Sequence, residues 1–234
     1  MGFVGHNANS KKRCITHTGR ADRKFIPNEL YGPDFDLDSN EYSGINSPGQ
    51  DYNFTFVPCQ DDDVPCCDCG RRSVHTNEII IAIDGACKAN GTPDAQARIG
   101  VYFAQYSMYN ISMELQKALD PRPSNQKAEL MACLTALEKL DEVESEDKLS
   151  QVVIKADSEF VVKSMTEWIF KWRKNGYKTS KGSPVTNADL FQSIDLKITG
   201  LNDDGIEVLF WYVPKARNQE ADDLANDVKH YYPE

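Results

Sequence analysis

The stretch Glu78-Ile79-Ile80-Ile81-Ala82-Ile83-Asp84-Gly85-Ala86-Cys87-Lys88-Ala89-Asn90-Gly91 constrains the fold of this chain more than any other. From Ile79 to Ile83 it is apolar at every position and mostly β-branched, which suits a central strand covered on both faces. Gly85, Asn90 and Gly91 mark a turn after it. The strand delivers Asp84 to a place where burial is expensive, because an ionised carboxylate there needs a cation, a cage of donors or a metal. On this stretch alone an aspartate that merely caps the following turn is an equal reading.

The 234 residues allow one domain of ~150 residues plus an extension. A net charge of −10 argues against a protein that binds nucleic acid by bulk positive charge, but leaves room for a local basic patch. No apolar run approaches the ~20 residues of a membrane span, and the start Met1-Gly2-Phe3-Val4-Gly5-His6 has no signal-peptide core. The expectation is a soluble, intracellular monomer in the nucleus or cytoplasm, with no membrane partner. Two short basic clusters, Lys11 to Arg13 and Arg20 to Lys24, read as a solvated tail or as a nuclear or mitochondrial address.

Residues 1–76 read as an N-terminal extension of low order, being rich in Gly, Asn, Asp, Ser and Pro and without a sustained period. They are expected to be dispensable for chemistry, so that truncation to about Thr76 spares turnover. Cys59, Cys66, Cys67, Cys69 and His75 crowd one interval and include one C-x2-C pair, half of a zinc site. A whole site would need Cys59, Cys66, Cys69 and His75 to converge, and on balance the cysteines are expected to be thiols rather than Zn²⁺ ligands.

From residue 77 to 234 the pattern is regular. Strands end at Asp84, run from about Ile99 to Ala104 and from about Ile111 to Leu115, and are joined by short turns as in an antiparallel meander. Leu130, Cys133, Leu134, Leu137 and Leu140 then recur at helical spacing behind Ser124 or Asn125 as the cap, and Glu129 lies in the first turns. A strand from Gln151 to Ala156 ends at Asp157, and Ser158 caps a helix that buries Val161, Val162, Met165 and Ile169. A helix from about Asn187, a strand from about Ile206 to Val213 and a final helix burying Ala221, Leu224, Ala225 and Val228 complete the order β-β-β-α-β-α-α-β-α. This is an α/β domain with a mixed five-stranded sheet and helices on both faces.

Asp84, Glu129, Asp157 and Asp222 each stand beside expected core. Singly each reads as a cap or a dipole partner; together they are an all-oxygen set suited to a hard cation. Four segments carry a resemblance: Asp84-Gly85-Ala86-Cys87, Ser124-Asn125-Gln126-Lys127-Ala128-Glu129-Leu130, Ala156-Asp157-Ser158-Glu159-Phe160-Val161, and Asn218-Gln219-Glu220-Ala221-Asp222-Asp223-Leu224-Ala225. In order and spacing the chain from Glu78 to about Tyr231 closely resembles the type I ribonuclease H family. The resemblance implies endonucleolytic hydrolysis of the RNA strand of RNA/DNA hybrids with two Mg²⁺ ions, Mn²⁺ substituting, leaving 5′-phosphate and 3′-hydroxyl ends. Asp84, Glu129, Asp157 and Asp222 are then the catalytic and metal-binding acids; the family pattern chooses Asp222 over its neighbour Asp223. A non-catalytic hybrid-binding module and a retroelement-derived domain are the alternatives.

Residues Trp168 to Lys181 interleave aromatic and basic side chains, which suits a polyanion, although an amphipathic helix end with a solvated loop reads equally well. By resemblance Lys171, Arg173, Lys174 and Lys178 meet phosphates of the DNA strand and Trp168 packs on deoxyribose. Arg122, Ser124 and Asn187 match the family's phosphate pocket, Ser180 the DNA channel, and Asn90, Asn125 and Gln126 the minor-groove contacts. One departure stands out: the histidine that relatives carry before the last helix is missing from Val213 to Asn218, and Lys215 and Arg217 occupy that connection.

Overall fold

The computed structural model of the protein describes residues 22–31, 53–58, 74–115, 123–145 and 148–226. Its elements are α1 (Pro27–Tyr31), β1 (Thr55–Pro58), β2 (Val74–Lys88), β3 (Gln96–Tyr102), β4 (Ile111–Glu114), α2 (Asn125–Lys139), β5 (Gln151–Ala156), α3 (Glu159–Lys163), α4 (Ile169–Asn175), α5 (Ala188–Asp203), β6 (Glu207–Tyr212) and α6 (Gln219–Asn226). The main path of the sheet runs β4-β3-β2-β5-β6, with β1 added beside β2. β3 and β4 are antiparallel to their neighbours, whereas β2, β5 and β6 are parallel to one another. The expected mixed sheet of five strands is the main path, and the sixth strand comes from the stretch read as low in order.

β2 is buried on both sides, as its sequence demands. Ile79, Ile81 and Ile83 face a large core with Leu130, Cys133, Leu137, Phe191 and Ile198 from α2 and α5. Ile80 faces a second cluster, with Val153, Leu209, Trp211 and Val213. That second face is shared between α6, which lies on β2 and β3, and Phe25 and Leu30, which cover β5 and β6.

Two parts of the expected low-order extension are therefore ordered and packed. Residues 23–25 lie along the outer edge of β6, where Phe210 N donates to Arg23 O at 2.8 Å and Phe25 N donates to Phe210 O at 2.9 Å. In β1, Thr55 pairs with Ile80 and Phe56 with Ile79, and after a bulge Val57 pairs with His75. The cause is physical: a free edge on β6 and the overhanging start of the 15-residue β2 offer unpaired backbone, and Phe25, Phe54 and Val57 supply buried apolar area.

The helix expected to start at Ser158 is continuous to Asn175 but is broken by a π-helical turn at Ser164–Trp168, where the Thr166 hydroxyl donates to Val162 O at 2.8 Å. Such turns re-aim the side chains that follow them. Among the described residues no helix is long and apolar enough to cross a membrane.

Candidate active site

Asp84 and Asp157 are brought together by sheet register alone. Ile83 pairs with Ala156 between the parallel β2 and β5, so the residues that follow them emerge side by side where β5 ends. Ser158 caps α3 by accepting from Val161 N at 3.3 Å, and its hydroxyl donates to Glu129 Oε2 at 2.6 Å. Asn125 Nδ2 holds the other oxygen of Glu129 at 2.8 Å. Asn218, fully buried, donates through one amide nitrogen to Ile83 O at 2.9 Å and to Asp157 Oδ1 at 3.0 Å. Its own carbonyl accepts from Asp222 N at 3.0 Å, so a single residue ties β2, β5 and the start of α6.

Two glycines let the helices that carry the other acids approach. A Cβ at Gly85 would lie 2.2 Å from Glu129 N, and one at Gly100 would lie 2.2 Å from Ala221 O. Gly85 opposes Ile99 and Gly100 opposes Asp84, so the two glycines open opposite faces, one to α2 and one to α6. Gly85 therefore serves close packing inside β2, not the turn expected of it.

The acids line an open cavity of about 280 Å³ together with Cys87, Lys88, Asn125, Ser158, Lys215 and Asn226. Burial pushes the Asp84 carboxyl up to about 6, and the charges of Asp157 and Asp222 push it the same way against a bond from the Gly85 backbone. Burial also raises Glu129, partly offset by Ser158. Lys215 Nζ stands 2.7 Å from Asp222 Oδ1, and this contact raises the lysine. Among the described residues no three Asp, Glu, His or Cys side chains are drawn tightly enough to cage an ion as they stand. Each of Glu129, Asp157 and Asp222 has an oxygen engaged by a protein donor or cation instead. The donor set nevertheless fits a hard divalent cation: it is all oxygen, and the charges of Asp157 and Asp222 add to burial in raising the proton affinity of Asp84. A larger cavity of about 410 Å³, between residues 24–28, α3 and β6, contains none of the four acids.

The expected nucleic-acid contacts divide. Ser124 caps α2, Gln126 is exposed beside it, and Asn90 is exposed in the turn after β2. Trp168 is 38% exposed and packs edge-on against Phe160. Lys171, Lys174, Lys178 and Ser180 are exposed on α4 and the turn after it. Arg173 differs, because its guanidinium is engaged with Asp195 of α5. Asn187 precedes α5 at φ +59° without a side-chain cap. Arg122 and Cys59, Cys66 and Cys69 lie outside the described residues, while His75 is buried in β2 with Nδ1 4.0 Å from Glu78 Oε1. Lys215 reaches the site; Arg217 lines the larger cavity instead.

Sequence reasoning gave no role to Asn218 or Ser158 as ties between acids. An Asn one residue before a helix was a signal for Asn218; its bond to Asp157 had none. The family model described as RNase H matches residues 76–229. The chain belongs to the ribonuclease H family. Ribonuclease H1 of Mus musculus is 31% identical over 153 residues, covering 64% of this chain and 49% of that protein. Ribonuclease H of Afipia carboxidovorans is 34% identical over 155 residues, covering 64% of this chain and 91% of that protein. The chain thus spans about half the length of the mammalian ribonuclease H1 relatives it matches. Among solved structures, LC11-RNase H1 in complex with RNA/DNA hybrid is 22% identical with a TM-score of 0.43, over 63% of this chain and 93% of that one.

Proposed function

We propose that this chain hydrolyses the RNA strand of RNA/DNA hybrids endonucleolytically, with two divalent cations, leaving 5′-phosphate and 3′-hydroxyl ends. The observation that carries the reading is the cluster of Asp84, Glu129, Asp157 and Asp222 in one open cavity, within a chain of the ribonuclease H family. Two Mg²⁺ ions, when bound, supply an activated water and stabilise the departing oxygen. Asp84, whose proton affinity burial and the charges of Asp157 and Asp222 raise, would hold the cations together with Glu129, Asp157 and Asp222. Asp157 and Glu129 are oriented by Asn218 and Ser158, and Asp222 stands against the Lys215 ammonium. Glu129 and Asn90 have the acceptor chemistry to recognise a ribose 2′-hydroxyl. The exposed lysines of α4 and Trp168 suit the DNA strand. The complete set of acids argues against a non-catalytic hybrid-binding module.

The test is incubation of the full chain with labelled hybrid, double-stranded RNA and double-stranded DNA, with and without Mg²⁺. Only the hybrid with Mg²⁺ should be cut, and Asp157→Asn should abolish cutting while sparing hybrid binding. Undiminished cleavage by that variant would refute the assignment.

A further inference from the structure

Arg23 lies outside the span that matches the family and yet reaches the surface read above as gripping the substrate. Its Nη1 donates to Asp195 Oδ1 at 3.0 Å, and both side chains are only 8% exposed. The same carboxylate takes Arg173, whose Nη2 donates to Oδ1 at 2.5 Å and whose Nε donates to Oδ2. The two guanidinium groups also share the Phe170 ring, at 5.5 Å for Arg23 and 5.9 Å for Arg173. Arg23 holds a φ of +58°, a region costly for a side chain other than glycine. Backbone bonds on either side fix it to β6 through Phe210.

The arrangement has a definite charge sense. One acid meets two bases, so the trio carries a net positive charge. Arg23 is enclosed, whereas the Arg173 side chain is 40% exposed beside Lys171 and Lys174. Had Asp195 only Arg173 for a partner, the exposed guanidinium would be neutralised where it stands. We propose that Arg23 is a positioning residue for substrate binding: by neutralising Asp195 from the inside it leaves the charge of Arg173 on α4 available to a phosphate of the hybrid. The N-terminal segment thereby sets the strength of the grip. This rests on the reading of α4 as the hybrid-binding surface.

The experiment measures binding of a short fluorescent RNA/DNA hybrid to the full chain, without divalent cations, across a series of KCl concentrations. Arg23→Met should weaken binding about 3- to 10-fold at low salt and lower the slope of log K against log salt by about one. Asp195→Asn added to Arg23→Met should restore both, because Arg173 then stands without its acid. Arg173→Met, at an exposed position, should reproduce the loss. In turnover with Mg²⁺, Arg23→Met should raise KM and leave kcat near its starting value. A role confined to stability predicts a lower Tm with an unchanged slope and no rescue by the second substitution, and that result would overturn the inference. Should Arg23→Met fail to fold, the decision passes to Arg23→Gln, which can still donate to Asp195 but carries no charge: it must lower the slope by about one, as Arg173→Met does, and an unchanged slope overturns the inference. If the unaltered chain does not bind hybrid at all, the proposed function falls and this inference falls with it; hybrid binding with slopes indifferent to these substitutions sinks the inference alone.

Discussion

Asp84 shows at the scale of one residue how a site can work against the fold that carries it. Burial pushes its carboxyl up to about 6 in the folded chain, above the ordinary value of 3.8. Between these two values the folded state holds the proton that the unfolded state has released, so stability falls as pH rises through that window and stays lowered above it. A displacement of that size is worth about 3 kcal/mol at most. Asp84→Asn should therefore stabilise the protein against urea at pH 7.5 in EDTA by about 1–3 kcal/mol. The gain should shrink towards pH 4, and the variant should lose cleavage. A destabilised Asp84→Asn protein would mean that the carboxylate is better paired than its surroundings indicate. Asn218 works the other way. Its buried amide nitrogen donates to both Ile83 O and Asp157 Oδ1, so Asn218→Ala should cost about 1–3 kcal/mol of stability. It should also raise the Mg²⁺ concentration needed for half-maximal turnover, because Asp157 loses the donor that orients it. Unchanged Mg²⁺ dependence at an equal loss of stability would make Asn218 a fold residue only.

Among the elements, the helices and the main strands were legible because their periods are local. The apolar run of β2, the helical recurrence from Leu130 to Leu137 and the cap at Ser158 each state their element within about ten residues, and all stand where expected. The glycines were legible only as breakers, since the groups they admit lie far along the chain: Gly85 meets Glu129, and Gly100 meets Ala221. β1 was illegible for a related reason. Four residues ending in proline show no alternation, and what makes them a strand is the overhang of β2 beyond β3. The acids fared better because Glu129, Asp157 and Asp222 sit just after a strand or in the first turns of a helix that the local pattern already marks, whereas Asp84, expected at a strand end, lies within β2, which runs on to Lys88. The packing of α2 against β2 gives a direct test. Gly85→Ala places a methyl carbon 2.2 Å from backbone that cannot swing aside. It should cost at least about 2–3 kcal/mol in chemical unfolding and reduce turnover more than tenfold, since α2 must retreat with Glu129. Near-normal turnover in a folded Gly85→Ala protein would show that Glu129 need not hold its present position for the proposed chemistry.

On the scale of the whole molecule, the boundary at residue 76 is where sequence and packing disagree. All four acids lie beyond it, which is the ground for expecting residues 1–75 to be dispensable for chemistry. Yet Phe25 and Val57 belong to one cluster with Ile80, Val153, Leu209, Trp211 and Val213, and Phe54 belongs to the main core beside Phe103 and Tyr109. Each large apolar side chain contributes about 1.5–3 kcal/mol when buried, so removing these three forfeits an amount comparable to the whole stability of a small domain. Truncation to Thr76 also bares the edge of β6 and the start of β2, which invites pairing between molecules. We therefore expect a chain beginning at Thr76 to unfold at least about 10 °C lower than the full chain or to aggregate. Any soluble fraction should keep a kcat near normal on a short hybrid, because the acids and their ties are intact. A chain lacking only residues 1–20 should match the full length in Tm, since it retains Arg23, Phe25 and β1. Thermal unfolding of the three proteins side by side decides the matter. If the Thr76 form melts with the full chain, the extension is an accessory to a self-sufficient domain; if it melts early and the shorter truncation does not, the functional unit of this protein begins near residue 22, more than fifty residues before its family resemblance does.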